Sequence, residues 1–203
     1  MPTARRAPKP SATSVETVER IGGHVGPLWQ EAAAFAARQH RHQIRKDGRT
    51  PYFAHPARVA LTVVLEFGCV DPVAVTTALL HDTIEDTTAD FEDVLEAFGA
   101  DVAECVAALT KIMALPEDQR EAEYDQRLAK ADWRARLVKL ADVFDNFSDV
   151  GTQPAEKQAE KRGKTLEHCR RALKLAERDG TAHPETRTAL EKVRGLIAPY
   201  ERS

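Results

Sequence analysis

The chain has 203 residues, 42% hydrophobic and 30% charged, enough for one buried core and ordinary for a globular protein. A net charge of −3 excludes a general polyanion binder, so any basic surface has to be local. No apolar run approaches the roughly 20 residues that span a bilayer, and Cys69, Cys105 and Cys169 lie too far apart for a zinc-thiolate pair or a disulfide framework, which fits a reducing cytoplasm.

Residues 1–20 carry Arg5, Arg6, Lys9 and several prolines but no apolar stretch of a secretory signal, and read as a disordered tail. Ile21-Gly22-Gly23 is a break. Pro27 then opens a helix to about His42, with Leu28, Ala32, Phe35 and Ala36 on one face. Arg45 to Pro51 is a loop, turned by Asp47-Gly48. His55-Pro56 starts a second helix that runs to Gly68. Asp71-Pro72 caps a third, and the apolar run to Leu80 reads as buried. Thr87 to Asp90 is a turn. Helices follow at about Phe91–Phe98 and Asp101–Ile112, separated by Gly99. Pro116 to Lys130 is so charged that it reads either as a poorly buried helix or as a partly mobile segment. Trp133 to Phe147 carries Leu137, Leu140, Ala141 and Phe144 at helical spacing. Gly151 to Pro154 breaks the chain again, and helices at about Glu156–Arg178 and His183–Ala198 form an antiparallel hairpin near Gly180. With no alternating strand pattern and no internal repeat, the fold class is all-α, a multi-helix globule.

Chemistry concentrates where the third helix ends. His81-Asp82-Thr83-Ile84-Glu85-Asp86 sets one imidazole and three carboxylates beside Leu79 and Leu80. Helical spacing would place His81 with Glu85 and Asp82 with Asp86. Such polarity beside leucines is costly unless it is paired or binds a metal. Asp142 sits among Leu140, Ala141, Val143 and Phe144, so it needs either a cation or a buried arginine. Asn146 lies one turn further along. His55, flanked by Tyr52 and Phe53, points to the core as a ligand or as a structural histidine. Together His55, His81, Asp82 and Asp142 make a nitrogen–oxygen donor set without thiolate, which suits manganese, iron or zinc and implies hydrolysis. Arg38, Arg41, Arg45, Lys46 and Arg49, with His40 and His42 between them, form either a polyanion site or a solvated face.

The segments His40 to Pro56, then Leu80-His81-Asp82-Thr83-Ile84-Glu85-Asp86-Thr87, then Val138-Lys139-Leu140-Ala141-Asp142 with Asn146, resemble in order the HD-type hydrolase domain of the Rel/SpoT alarmone enzymes. The small single-domain alarmone hydrolases are the nearest in build. The likeness covers about Leu28 to Asp149. It implies an HD-type metal-dependent hydrolase domain over residues 21–150; nothing in it covers 151–203, which reads on its own as a helical hairpin packed on the same domain or serving as an oligomer contact. It also implies metal ligands His55, His81, Asp82 and Asp142, usually around Mn2+, and catalytic Glu85 and Asp86 activating a water. Substrate contacts would come from Arg45, Lys46, Tyr52 and Asn146. The implied reaction removes the 3′-pyrophosphate of guanosine tetra- or pentaphosphate, (p)ppGpp, to give GDP or GTP. Val143 and Ser148 stand where related domains often carry arginine, His42 replaces a usual glycine, and Asp145 adds negative charge beside the phosphate path. Alternatives are an HD-type phosphohydrolase of another nucleotide, such as a phosphorylated dinucleotide cofactor, and a non-catalytic nucleotide sensor. The expected partner is a small nucleotide in the cytoplasm, without membrane or polymeric nucleic acid, with the hairpin free to serve as an oligomer contact.

Overall fold

The chain is seen here in a computed structural model that describes residues 27–152 and 155–201; the expected tail at 1–20 lies outside them, as do positions 153 and 154 of the expected break. Apolar residues at helical spacing become helices in the expected order. α1 is Leu28–Gln39, with Ala32 and Ala36 buried. α2, Ala54–Leu61, buries His55, Pro56, Val59 and Ala60 and continues through a π-turn at Thr62–Glu66. Gly68 stops it with a φ of +73°, which a residue bearing a Cβ adopts only under strain. α3, Pro72–Leu80, is capped by the Asp71 carboxylate, which accepts from the Ala74 N–H at 2.9 Å. A short turn of helix, α4, covers Thr83–Asp86. α5 (Phe91–Phe98) starts with an Asp90–Asp93 capping box and ends at Gly99, whose positive φ turns the chain into α6, Ala100–Leu109.

α7 (Glu117–Lys130) precedes α8 (Trp133–Ser148), and a 3-10 turn at Asp149–Thr152 leads on to α9, Ala155–Ala176. A second 3-10 turn, Glu177–Thr181, joins α9 to α10, Pro184–Ile197. Among the described residues there is no strand; Ile44 and Pro51 meet in an isolated antiparallel bridge that closes the α1–α2 loop. α8 is the axis. Leu137, Val138, Leu140 and Ala141 are fully buried, and α2, α3, α6, α9 and α10 pack around it. The three cysteines are all free and buried in this core.

Three expectations are adjusted. α1 ends at Gln39 rather than His42, because His40 turns to stack on Tyr52 and to pair with the Gln43 side chain. The run from Pro72 to Asp86 is not one helix; it breaks at His81-Asp82 before α4. α6 ends at Leu109 rather than Ile112, because Thr110 turns extended, with ψ of 127°. Of the two readings of the charged segment before Lys130, the helix is the one found, anchored by buried Tyr124 and Leu128.

Candidate active site

Two imidazoles from different helices aim at the same space. His55, in the first turn of α2, pairs through Nδ1 with Asp145 Oδ2 at 2.7 Å. Asp145 is itself clamped by Arg58, whose Nε and Nη2 donate at 2.6 and 2.9 Å. His81, directly after α3, pairs through Nδ1 with the Ala78 carbonyl at 2.8 Å. Tying Nδ1 to an acceptor fixes the tautomer that leaves Nε2 to face the ligand. His55 Nε2 then lies 3.2 Å from Asp142 Oδ1 and 3.5 Å from Asp82 Oδ2. His81 Nε2 lies 3.2 Å from Asp82 Oδ1 and 3.8 Å from Asp142 Oδ1.

Burial alone would push both imidazoles down, but Asp142, Asp145 and Asp82 outweigh it: His55 is raised to about 9, and His81 is raised as well. Burial likewise works against ionised Asp82 and Asp142, yet the imidazoles, and for Asp142 also Lys139, hold both carboxyls below the usual carboxylate range. Basic nitrogens against acidic oxygens in a buried pocket are the electrostatics of a cation site. One atom each of His55, His81 and Asp82 lies within 4.8 Å of the others, a spacing that suits a divalent ion. His81 Nε2 is buried without a hydrogen-bond partner, a cost that a metal would remove. Asp142 borders this group from α8, with its own oxygens also held by Lys139 Nζ at 2.8 Å and Asn146 Nδ2 at 2.6 Å. The alternative of a buried arginine beside Asp142 is thus replaced by a lysine.

The acid pair follows in α4. Tyr52 Oη bridges Asp82 Oδ2 at 2.6 Å and Asp86 Oδ2 at 2.8 Å, so Asp82 and Asp86 do share a face. Gln43 Nε2 donates to the Asp86 carbonyl at 2.5 Å. His81 and Glu85 do not pair as one continuous helix would have it. Glu85 instead accepts the Lys111 N–H at 2.7 Å, and its burial raises it above the usual carboxylate range.

These groups line a cavity of about 500 Å3 together with Arg45, Lys46, Tyr52 and Asn146. Arg45 donates to Asp149 at 2.8 Å and to Asn146 at 3.4 Å, while Arg49 and Arg41 stay with the loop's own Asp47 and His42. Sequence reasoning missed Lys161, Lys164 and His168 of α9, and Lys111, Tyr124 and Lys139, all on the wall of this cavity. Burial and the adjacent Lys46 lower Lys161 to about 8, because cations crowd together on this wall. Asp145 does not crowd the phosphate path as expected. It lies three residues beyond Asp142 on α8 and turns to His55 and Arg58.

The sequence model of the HD domain family matches residues 32–193. The chain belongs to the HD domain family. It is 40% identical over 133 residues to guanosine-3′,5′-bis(diphosphate) 3′-pyrophosphohydrolase MESH1 of Xenopus tropicalis, covering 65% of this chain and 74% of that protein. The Homo sapiens protein of the same name is 41% identical over the same length and coverage. A solved structure reported as a metazoan ortholog of SpoT that hydrolyzes ppGpp and plays a role in starvation responses superposes with a TM-score of 0.74. It is 30% identical and covers 87% of this chain and 97% of its own. The HD domain here extends through α9 into α10, so the lysines of α9 that face the cavity fall within the matched region.

Proposed function

We propose that this HD domain is a metal-dependent hydrolase that removes the 3′-pyrophosphate of (p)ppGpp, leaving GDP or GTP. The observation that carries the reading is the convergence of His55, His81, Asp82 and Asp142 in one cavity with Glu85, Asp86, Arg45 and Lys46. The relatives named for that reaction support it. In this reading His55, His81, Asp82 and Asp142 hold the divalent ion, for which we propose Mn2+. When bound, the ion supplies positive charge that polarises phosphoryl oxygens and makes water a nucleophile near neutral pH.

The chain's own residues do the rest. Glu85, kept basic by burial, takes the proton of the attacking water, and Asp86 orients that water while Tyr52 holds the carboxylate. Arg45 and Lys46, joined by Lys161, neutralise the diphosphate groups, the Tyr52 ring flanks the base, and Asn146 meets the ribose side. We assign residues 21–150 and the hairpin 151–203 to one domain, since α9 and α10 pack along α8. No helix of the described residues is long and apolar enough to cross a membrane, and we propose a cytoplasmic location on the strength of the free, buried cysteines.

The test is direct. Purified protein with manganese is expected to release pyrophosphate from guanosine tetraphosphate. No release across a range of divalent metals and pH would overturn the reading. A panel of other phosphorylated nucleotides, including a phosphorylated dinucleotide cofactor, checks substrate identity.

A further inference from the structure

We infer that Arg127, which does not line the cavity, is a positioning residue for Glu85. It fixes the turn after α6 so that the Lys111 N–H holds the carboxylate that receives the water's proton. This rests on the reading of Glu85 given above.

The last carbonyls of a helix have no partner inside it. At the end of α6 the Ala107 carbonyl accepts the Thr110 N–H at 3.2 Å, and Arg127 of α7 adds to this. Its Nη1 donates to the Ala107 carbonyl, and its Nη2 donates to the Thr110 carbonyl at 2.7 Å. The guanidinium is oriented from behind by Glu123, which accepts Nε and Nη2 at 2.9 Å each. With Ala107 and Thr110 pinned together, Thr110 takes its extended conformation, and its hydroxyl closes on the Val106 carbonyl at 2.9 Å. The chain therefore leaves the helix at Thr110. The next N–H, that of Lys111, points away from α6 and meets Glu85 Oε2 at 2.7 Å. The same α7 holds the other end of Lys111, whose Nζ pairs with Glu121 at 2.7 Å; Glu121 in turn accepts from Arg171 of α9 at 2.6 Å.

Glu85 sits on α4, a single turn of helix that cannot orient a carboxylate by itself. The arrangement transfers the rigidity of the α6–α7 contact to it through one backbone hydrogen bond. A general base misplaced by a fraction of an ångström loses rate without losing substrate affinity, which gives the inference a kinetic signature.

The experiment uses the full chain with manganese and guanosine tetraphosphate. Arg127→Met is expected to lower kcat by about 10- to 100-fold with KM little changed, and Arg127→Lys, which keeps one donor, to recover part of it. Arg127→Met should add nothing to Glu85→Gln, because both remove the same function. Hydrogen exchange at the Lys111 amide should quicken in Arg127→Met while that at Leu137 in α8 stays protected, separating a local loss from general unfolding. The inference falls if the two losses multiply, if kcat is unchanged, or if Lys111 exchange does not respond. If Glu85→Gln itself keeps wild-type kcat, the reading of Glu85 falls and takes the inference with it. If Glu85→Gln is impaired and Arg127→Met is not, only Arg127 loses its role.

Discussion

His55 uses both ring nitrogens, one on Asp145 and one toward Asp82 and Asp142. Asp145 is therefore expected to matter without touching an ion. Asp145→Asn should weaken manganese binding by about 10- to 100-fold, as outer partners of metal-bound histidines do, measured by chelator competition. Asp142→Asn should lose metal and turnover together; unchanged metal content by elemental analysis would remove Asp142 from the ligand set. Lys161 gives a pH-dependent case. Burial and Lys46 disfavour its charge and lower its pKa to about 8. If its cationic form, present below that pH, meets the phosphates as proposed, KM should rise as pH climbs through 8, and Lys161→Met should flatten that rise. The convergence of His55, His81, Asp82 and Asp142 on one cavity was legible because each is a polar group beside apolar sequence, as Asp142 is among Leu140, Ala141 and Val143. Lys161 and Lys164 were not, because α9 carries cations all around its circumference and nothing in the sequence marks the face that meets the cavity.

α7 braces one wall of the cavity through Tyr124. Its sequence is the most charged among the helices before α8, and charge alone does not say whether a helix is held. Tyr124 anchors it. The ring is buried with Lys111 Nζ and Lys139 Nζ each 5.4 Å from its centre, so α7 steadies two cations of the cavity wall. Glu121 ties α7 to Lys111 and to α9. Burial pushes its carboxyl up, but hydrogen bonds from Lys111 and Arg171 overcome this and lower it from 4.5 to about 2. A depressed acid stabilises the fold fully above its unfolded value and loses that contribution as pH falls through its folded one. Wild type should therefore lose melting temperature between pH 4.5 and 2 more steeply than Glu121→Gln, as followed by circular dichroism. The break at His81-Asp82 was equally hidden. Apolar periodicity runs straight through it, and no glycine or proline marks the turn.

For the molecule as a whole, α8 joins the chemistry to the scaffold. Asp142 and Asn146 face the cavity, while Arg136, at the other end of the helix, is buried against Asp179 at 2.5 and 2.9 Å. That pair fastens the turn before α10 to α8, and Arg136 also caps the Leu128 carbonyl at 3.1 Å. Breaking a buried pair strands its partner charge, so Asp179→Ala should cost about 3–5 kcal/mol in urea unfolding. Turnover at low temperature should survive. The all-α class was open to view because helical spacing recurs in segment after segment. The hairpin was expected to pack on the domain, but its anchor was not legible, since that is one arginine meeting one aspartate 43 positions away.

The buried thiols carry a practical consequence. Cys105 and Cys169 are both pushed up to about 12 by their apolar surroundings, and Cys69 is raised as well. Mild peroxide and maleimide reagents, which need an accessible thiolate, should leave the native protein untouched. The wild-type background is then silent to labelling chemistry, and a single cysteine engineered on α7 or α9 could carry a fluorophore without first stripping out the native ones.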